Sequence, residues 1–239
     1  MRLMVTRPRD DAESFAEFLR TRGHVAIVAP MMDVHLQPGP PLALEGAQGI
    51  LATSANGVRA LAARTAKRDL TIYAVGPQTS EAARSVGFTV VISAEGDSTA
   101  LVETVAREAD PAKGTLLHAA GAETAGRLRQ ALQARGFNVE TMVLYEAVPV
   151  AKLPALAEEN LRNGTLDGVL LFSPRSAKIF ATLVGEAGLA AQCAGLVAFC
   201  ISAATAAALA PLAFAQVAVA GSPNQDAILD LITPPAPGP

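Results

Sequence analysis

Residues 50–61 read ILATSANGVRAL: an apolar run, a break at Thr53, Ser54, Ala55 and Asn56, then a helix-like pattern. A close relative of this stretch, VLLFSPRSAKIF, occupies residues 169–180. The same unit recurs in RLMVTRP (2–8), TIYAVGPQT (71–79), GTLLHAAGAET (114–124) and VAFCISAAT (197–205). Each carries a strand-length apolar run into a polar or glycine turn and then a helical pattern. Such alternation, with short links, predicts an α/β fold of parallel sheets covered by helices on both faces. Parallel strands buried on both sides are continuously apolar, as these runs are.

The units fall into pairs. Residues 3–34 lie over 116–147 at a constant offset of 113, which sets Leu19 over Leu132 and Arg22-Gly23 over Arg135-Gly136. The two opening stretches match at an offset of 119, placing Ser54 over Ser173, and IYAVGPQTSEAA matches AFCISAATAAAL at 126, placing Thr79 over Thr205. Two types of segment therefore alternate along the chain. Two topologies fit. The halves are either sequential, with a boundary near Asp110-Pro111, or one half is inserted into a domain made from both chain ends. The proline-rich links QPGPPLALEG and AVPVAKLP suit extended crossings and favour insertion. The expected domains are 1–34 with 150–232, and 38–146, followed by a disordered Pro-rich tail at 233–239.

Bulk composition narrows the function. With 51% hydrophobic and 17% charged residues the chain is a folded globular protein. A net charge of −3, 4% aromatics and no tryptophan leave neither the basic footprint nor the stacking surface of a nucleic-acid binder. Cys193 and Cys200, the only cysteines, read as buried thiols of a reducing compartment. His24, His35 and His118 are too scattered to build a metal site by spacing. The N-terminus lacks a signal-peptide pattern. Residues 187–225 carry no charge, yet Ser202, Thr205, Pro211 and Gln216 punctuate them. They read as strand LVAFCI, helix AATAAALAPL and strand QVAVAG, all buried, and not as a membrane span. A cytoplasmic protein is expected.

In open parallel sheets ligands bind beyond the carboxyl ends of the strands, where helix N-termini present unpaired N–H groups. Here those turns carry Thr53, Ser54 and Asn56; Gly76, Gln78 and Thr79; Gly121 and Thr124; Ser173 and Ser176; Ser202 and Thr205. Any α/β protein favours such residues as N-caps. Collectively, however, two facing rims of N–H and hydroxyl donors suit a large, multiply carboxylated ligand. Nucleotide and nucleophile motifs fail: GAETAGR offers Arg127-Leu128 where a P-loop needs Lys and Ser/Thr, and no G-x-G-x-x-G or G-x-S-x-G is present. Tyr145, in MVLYEAV, stands where a strand runs toward a link; a phenol can donate a hydrogen bond or a proton, or simply pack at a domain seam. Tyr73 lies within a strand and reads as core. Arg7, Arg9 and Arg175 read as solvated flanks.

VTRP, TSANGV, AVGPQT, the YEAV tyrosine, LLFSPRSA and ISAATAAAL, in this order and spacing, resemble the uroporphyrinogen-III synthase family over nearly the whole chain. The resemblance implies two flavodoxin-like domains joined by two extended linkers, the second inserted into the first, with the active site in the cleft. It implies a cofactor-free hydro-lyase that takes hydroxymethylbilane, a linear tetrapyrrole octacarboxylate, and closes it with loss of water and inversion of ring D. It makes Tyr145 the acid that assists loss of hydroxide. Thr53, Ser54, Thr79, Ser173 and Thr205 fall at substrate-binding positions, and the turn residues Gly76, Gly121 and Ser202 complete that set. Ser202 and Ala204 depart from a turn in which the family often has Gly and Thr. A monomer is expected, in transient contact with the preceding pathway enzyme and with neither nucleic acid nor membrane. The rival readings are a non-catalytic two-domain binder of small molecules and an enzyme acting on another polyanion.

Overall fold

The computed structural model describes residues 1–123 and 126–232; Thr124 and the tail 233–239 lie outside the described residues. The chain divides into two compact units, Met1–Asp33 with Val148–Pro239, and Val34–Ala147.

In the first unit the strands are β1 (Arg2–Val5), β2 (Val25–Val28), β9 (Gly168–Leu171), β10 (Val197–Cys200) and β11 (Gln216–Val219). They form one sheet in the order β11-β10-β9-β1-β2 with every pairing parallel. Counted within the unit this is the 2-1-3-4-5 order of flavodoxin-like folds. In the second unit β4 (Ala47–Ala52), β5 (Thr71–Ala74), β6 (Val91–Ser93), β7 (Thr115–Gly121) and β8 (Asn138–Pro149) follow β3 (Met32–Leu36), in the sheet order β3-β8-β7-β4-β5-β6.

The repeat seen in the sequence reappears in the strand registers. Met4 is paired with Ile27 and Val169 in the first unit, and Leu117 with Glu140 and Ile50 in the second. The offset of 113 carries Met4 to Leu117 and Ile27 to Glu140; 119 carries Ile50 to Val169. Likewise Ile72 pairs with Ile50 and Val91, and Ala198 with Val169 and Val217; 126 carries Ile72 to Ala198 and Val91 to Val217, and 119 carries Ile50 to Val169. Each unit thus holds the same five-strand arrangement, with the two segment types swapped in chain order. β3 and β8 also connect the units. Gln37 N–H donates to Leu144 O and Val150 N–H to Met31 O, so these two strands run antiparallel.

Alternation along each strand feeds two helical layers. Leu3, Val5, Leu170 and Phe199 pack under α1 (Arg9–Thr21) and α9 (Gln225–Ile232). Met4, Val169, Leu171 and Ala198 face α6 (Ala155–Arg162) and α7 (Pro174–Glu186). α1 forms because Ala12, Phe15, Ala16 and Leu19 recur at helical spacing and all are buried. In the second unit Ile50, Ile72 and Leu117 face α2 (Ala55–Arg64) and the core around α3 (Pro77–Ser85). Leu51, Tyr73 and Leu116 face α4 (Ser98–Glu108) and α5 (Arg127–Gln133). Burying one large apolar side chain such as Phe15 or Phe180 contributes roughly 2–3 kcal/mol.

Three expectations need correction. The segment QVAVAG is not buried: β11 is an edge strand, and Val217 and Val219 are 45% and 40% exposed because only β10 flanks it. The helix expected over AATAAALAPL is limited to α8 (Ala203–Ala207), whose outer positions Ala203, Ala204 and Ala207 are exposed. Arg7 is no solvated flank but 7% exposed, for reasons given below. Among the described residues no helix is long and apolar enough to cross a membrane.

Candidate active site

In the second unit the sheet order reverses between β4 and β7, since the chain runs from β4 outward to β6 and returns on the other side. Ligands in such sheets sit beyond the strand ends at the reversal. Thr53 and Ser54 follow β4, Gly121 ends β7, and Tyr145 lies beside it on β8.

Tyr145 is aimed by a β-bulge. Ala120 pairs with Val143 but Gly121 with Tyr145, so β8 holds one extra residue, Leu144. Regular alternation would put Leu144 and Tyr145 on opposite faces; instead both pack against the cluster under α2. The ring then lies directly on Gly121, where an added Cβ would come within 2.8 Å of Cζ and 3.0 Å of Cε2. Tyr145 O also accepts from Ala122 N–H at 2.9 Å, which fixes the strand beyond the bulge. The phenol oxygen reaches Ser54 Oγ at 2.8 Å.

Ser54 holds two positions at once. It is the N-cap of α2, and its Oγ accepts from Gly57 N–H at 3.0 Å. α2 approaches the sheet closely here, for a Cβ on Gly57 would meet Ala119 O at 2.5 Å. Next to it, Thr53 Oγ1 lies 3.3 Å from His118 Nε2. His118 sits inside β7 at 1% exposure, and burial pushes its imidazole down to about 4 from the usual 6.5. It is therefore neutral near pH 7. Sequence reasoning missed it, because a lone histidine in an apolar run carries no spacing signal.

The neighbouring turn after β5 carries Gly76 and Thr79. Gly76 is the N-cap of α3 in an extended conformation, and its carbonyl accepts from the Ser80 N–H and Oγ–H, both at 3.0 Å. Thr79 is 4% exposed and lies behind the rim.

In the first unit the order reverses between β1 and β9. Ser173 caps α7 by accepting from Ser176 N–H at 3.1 Å. Ser202 caps α8, accepts from Thr205 N–H at 3.3 Å and lies 3.0 Å from Thr205 Oγ1. Thr205 is fully buried. After β1, Arg7 lies over the Phe172 ring at 4.7 Å, donates to Gln225 Oε1 at 3.0 Å and pairs with Asp11 at 3.4 Å. Cation–π contact, hydrogen bond and ion pair together offset the cost of burying its charge.

The two rims differ in chemistry although their strands superpose by offset. Where the second unit has Thr53, His118, Gly121 and Tyr145, the first has Phe172, Val5, Pro8 and Met32, whereas Ser54 is retained as Ser173 and Thr79 as Thr205. Cys193 and Cys200 stand apart as free buried thiols, pushed up to about 11 by burial and hence unreactive near pH 7.

Set beside known proteins, the chain matches a family model described as uroporphyrinogen-III synthase HemD over residues 13–230. Similar solved structures include the uroporphyrinogen-III synthetase of Helicobacter pylori 26695, 17% identical with a TM-score of 0.61, covering 97% of this chain and 98% of that one. A mutant uroporphyrinogen III synthase of Thermus thermophilus is 16% identical with a TM-score of 0.49 and 97% of each chain covered. The wild-type enzyme of that organism is 18% identical with a TM-score of 0.38 and 91% of each covered. At these identities the Helicobacter likeness is one of fold. No curated protein matches the chain.

Proposed function

The chain belongs to the uroporphyrinogen-III synthase family, lyases of tetrapyrrole biosynthesis that act on hydroxymethylbilane, and from that premise we propose that Tyr145 is its general acid. One observation carries the proposal: the Tyr145 hydroxyl stands 2.8 Å from Ser54 Oγ at the sheet reversal of the second unit. Ser54 Oγ already accepts from Gly57 N–H, which leaves its own proton free to point at the phenol oxygen. With Ser54 as donor, the phenol O–H is available to the substrate. As the terminal C–O bond breaks, the phenol proton passes to the departing hydroxyl, water leaves, and the pyrrole nitrogen lone pair fills the vacated carbon. Ser54 O–H then supports the developing phenolate, an electrostatic aid that needs no reorganisation.

The second half of the reaction is a matter of positioning. The bilane closes spontaneously to the symmetric isomer, so inversion requires ring D to be attacked at its already substituted carbon, through a spiro intermediate. Holding the chain in that fold supplies several kcal/mol, of the order known for oriented intramolecular reactions. Thr53, Ser54, Gly76, Thr79, Gly121, Ser173, Ser202 and Thr205 form the substrate-binding set in this reading. Rim hydroxyls and helix N–H groups hold the acetate and propionate arms, and the buried Thr79 and Thr205 support them from behind. The asymmetry of the rims supports giving the proton transfer to the second unit and only binding to the first. The free thiols are consistent with work in the cytoplasm.

The test is incubation with hydroxymethylbilane, oxidation, and chromatographic separation of the porphyrin isomers. The wild type is expected to give chiefly type III. Tyr145→Phe is expected to lose about 10- to 100-fold in kcat, in line with removal of one general acid, with type I rising as spontaneous closure competes. Full activity in Tyr145→Phe would overturn the acid role.

A further inference from the structure

His118 has no part in the proton transfer, yet it is the one buried titratable side chain that touches the rim of the second unit among the described residues. Its contact is with Thr53, whose hydroxyl and methyl compete for the same outlook. A β-branched side chain has few χ1 wells, so a partner on Oγ1 decides which group faces out. The tautomer of the imidazole then decides what the hydroxyl can offer. If Nε2 accepts, the Thr53 proton is spent inward and only lone pairs face the ligand. If Nε2–H donates, the Thr53 proton is free to point outward at an anionic oxygen.

We propose that His118 is a positioning residue: its Nε2–H, 3.3 Å from Thr53 Oγ1, turns the Thr53 hydroxyl into an outward donor for one carboxylate of the substrate. This rests on the reading that Thr53 binds substrate. A carboxylate accepts hydrogen bonds and cannot donate them, so it demands a donor at Thr53, and only one tautomer provides it. Burial keeps the imidazole neutral near pH 7, so the assignment of one proton to one nitrogen is stable there. A protonated imidazolium would also donate but would place an unpaired charge in the apolar interior.

Side-chain replacement and spectroscopy test this together. Thr53→Val and His118→Leu are each expected to raise KM for hydroxymethylbilane about tenfold, the size of one hydrogen bond to a charged group, with kcat little changed. The double variant is expected to be no worse than either single, since both remove one contact. His118→Gln, whose amide N–H reaches the place of Nε2, is expected to recover most of the affinity; His118→Asn, of the same polarity but shorter, is not. The stability of each variant is followed by urea unfolding, and the comparison of glutamine with asparagine keeps the test open if the leucine variant does not fold. The 15N shifts of wild-type His118 are expected to report the Nε2–H tautomer. A raised KM in Thr53→Val beside a normal one in His118→Leu, equal behaviour of the glutamine and asparagine variants, or an Nδ1–H signature would each overturn the positioning role alone. A normal KM in Thr53→Val would overturn the substrate-binding reading of Thr53 and this inference with it.

Discussion

Tyr145 and Ser54 lie 91 residues apart in sequence, and their hydroxyls are 2.8 Å apart in the fold. The contact exists because β8 and β4 both flank β7, and because a single extra residue in β8 turns the phenol onto the α2 side of the sheet. Ser54 is therefore both a helix cap and the partner of the proposed acid.

Ser54→Ala separates these two duties when stability and kinetics are both measured. Losing the cap to Gly57 N–H is expected to cost about 1 kcal/mol in urea unfolding. Losing the hydroxyl beside Tyr145 is expected to lower kcat several-fold, with KM less affected, as for an interaction realised in the transition state. Ser54→Thr keeps an Oγ in place and is expected to restore most of both. A serine-to-alanine variant with wild-type kcat would remove Ser54 from the proton transfer.

Two glycines give a contrast between function and stability. The three atoms nearest a Cβ at Gly121 all belong to Tyr145, with Cζ at 2.8 Å and the hydroxyl at 3.1 Å, and that half-buried ring can swing away. Gly121→Ala is expected to reduce kcat about tenfold or more, near the effect of removing the phenol oxygen, with a small change in stability. At Gly57 the obstacle is backbone, Ala119 O at 2.5 Å. Gly57→Ala must move α2 off the sheet, and a loss of about 1–3 kcal/mol in unfolding free energy is expected. If Gly121→Ala keeps full kcat, the observed ring position is not the working one.

Much of this architecture is legible in the chain and part is not, for physical reasons. Buried parallel strands announce themselves as apolar runs, and because duplicated sheets keep one register, the three offsets read from the sequence recur in the pairings of Met4, Ile50 and Ile72. The caps Ser54, Ser173 and Ser202 are legible because an N-cap is a local interaction within four residues. The exposed face of β11 is not, since Val217 and Val219 have the composition of a central strand and only the sheet order makes them an edge. Nor is His118, whose partner is 65 residues away, nor Arg7, whose burial depends on Gln225 and Phe172 arriving from distant elements.

Arg7 offers a test confined to the first unit. It is 7% exposed and its partner Asp11 13%, so removing one leaves the other poorly solvated. Arg7→Met is expected to destabilise by about 3 kcal/mol, as for breaking a buried ion pair. Adding Asp11→Asn is expected to recover part of that, because the carboxylate that paired with Arg7 no longer carries a charge. Additive losses in the double variant would show that the ion pair with Asp11 is not what holds Arg7 in place.

His118 also predicts a pH dependence of stability that belongs to one residue. Burial lowers its pKa from 6.5 to about 4 in the folded state. The unfolded chain therefore binds one more proton than the folded chain between those values, and stability falls as pH falls through that window. Above pH 6.5 both states are neutral and the contribution is intact; below about 4 both are protonated and no more is lost. Linkage sets the size at about 2–3 kcal/mol between pH 7.5 and 4.5. Other acidic groups titrate in the same range, so the quantity to measure is the difference between wild type and His118→Gln in urea unfolding at both pH values. The wild type is expected to lose about 2–3 kcal/mol more than the variant. Parallel curves for the two proteins would mean that the imidazole is solvated in the native state and that its hold on Thr53 is not buried.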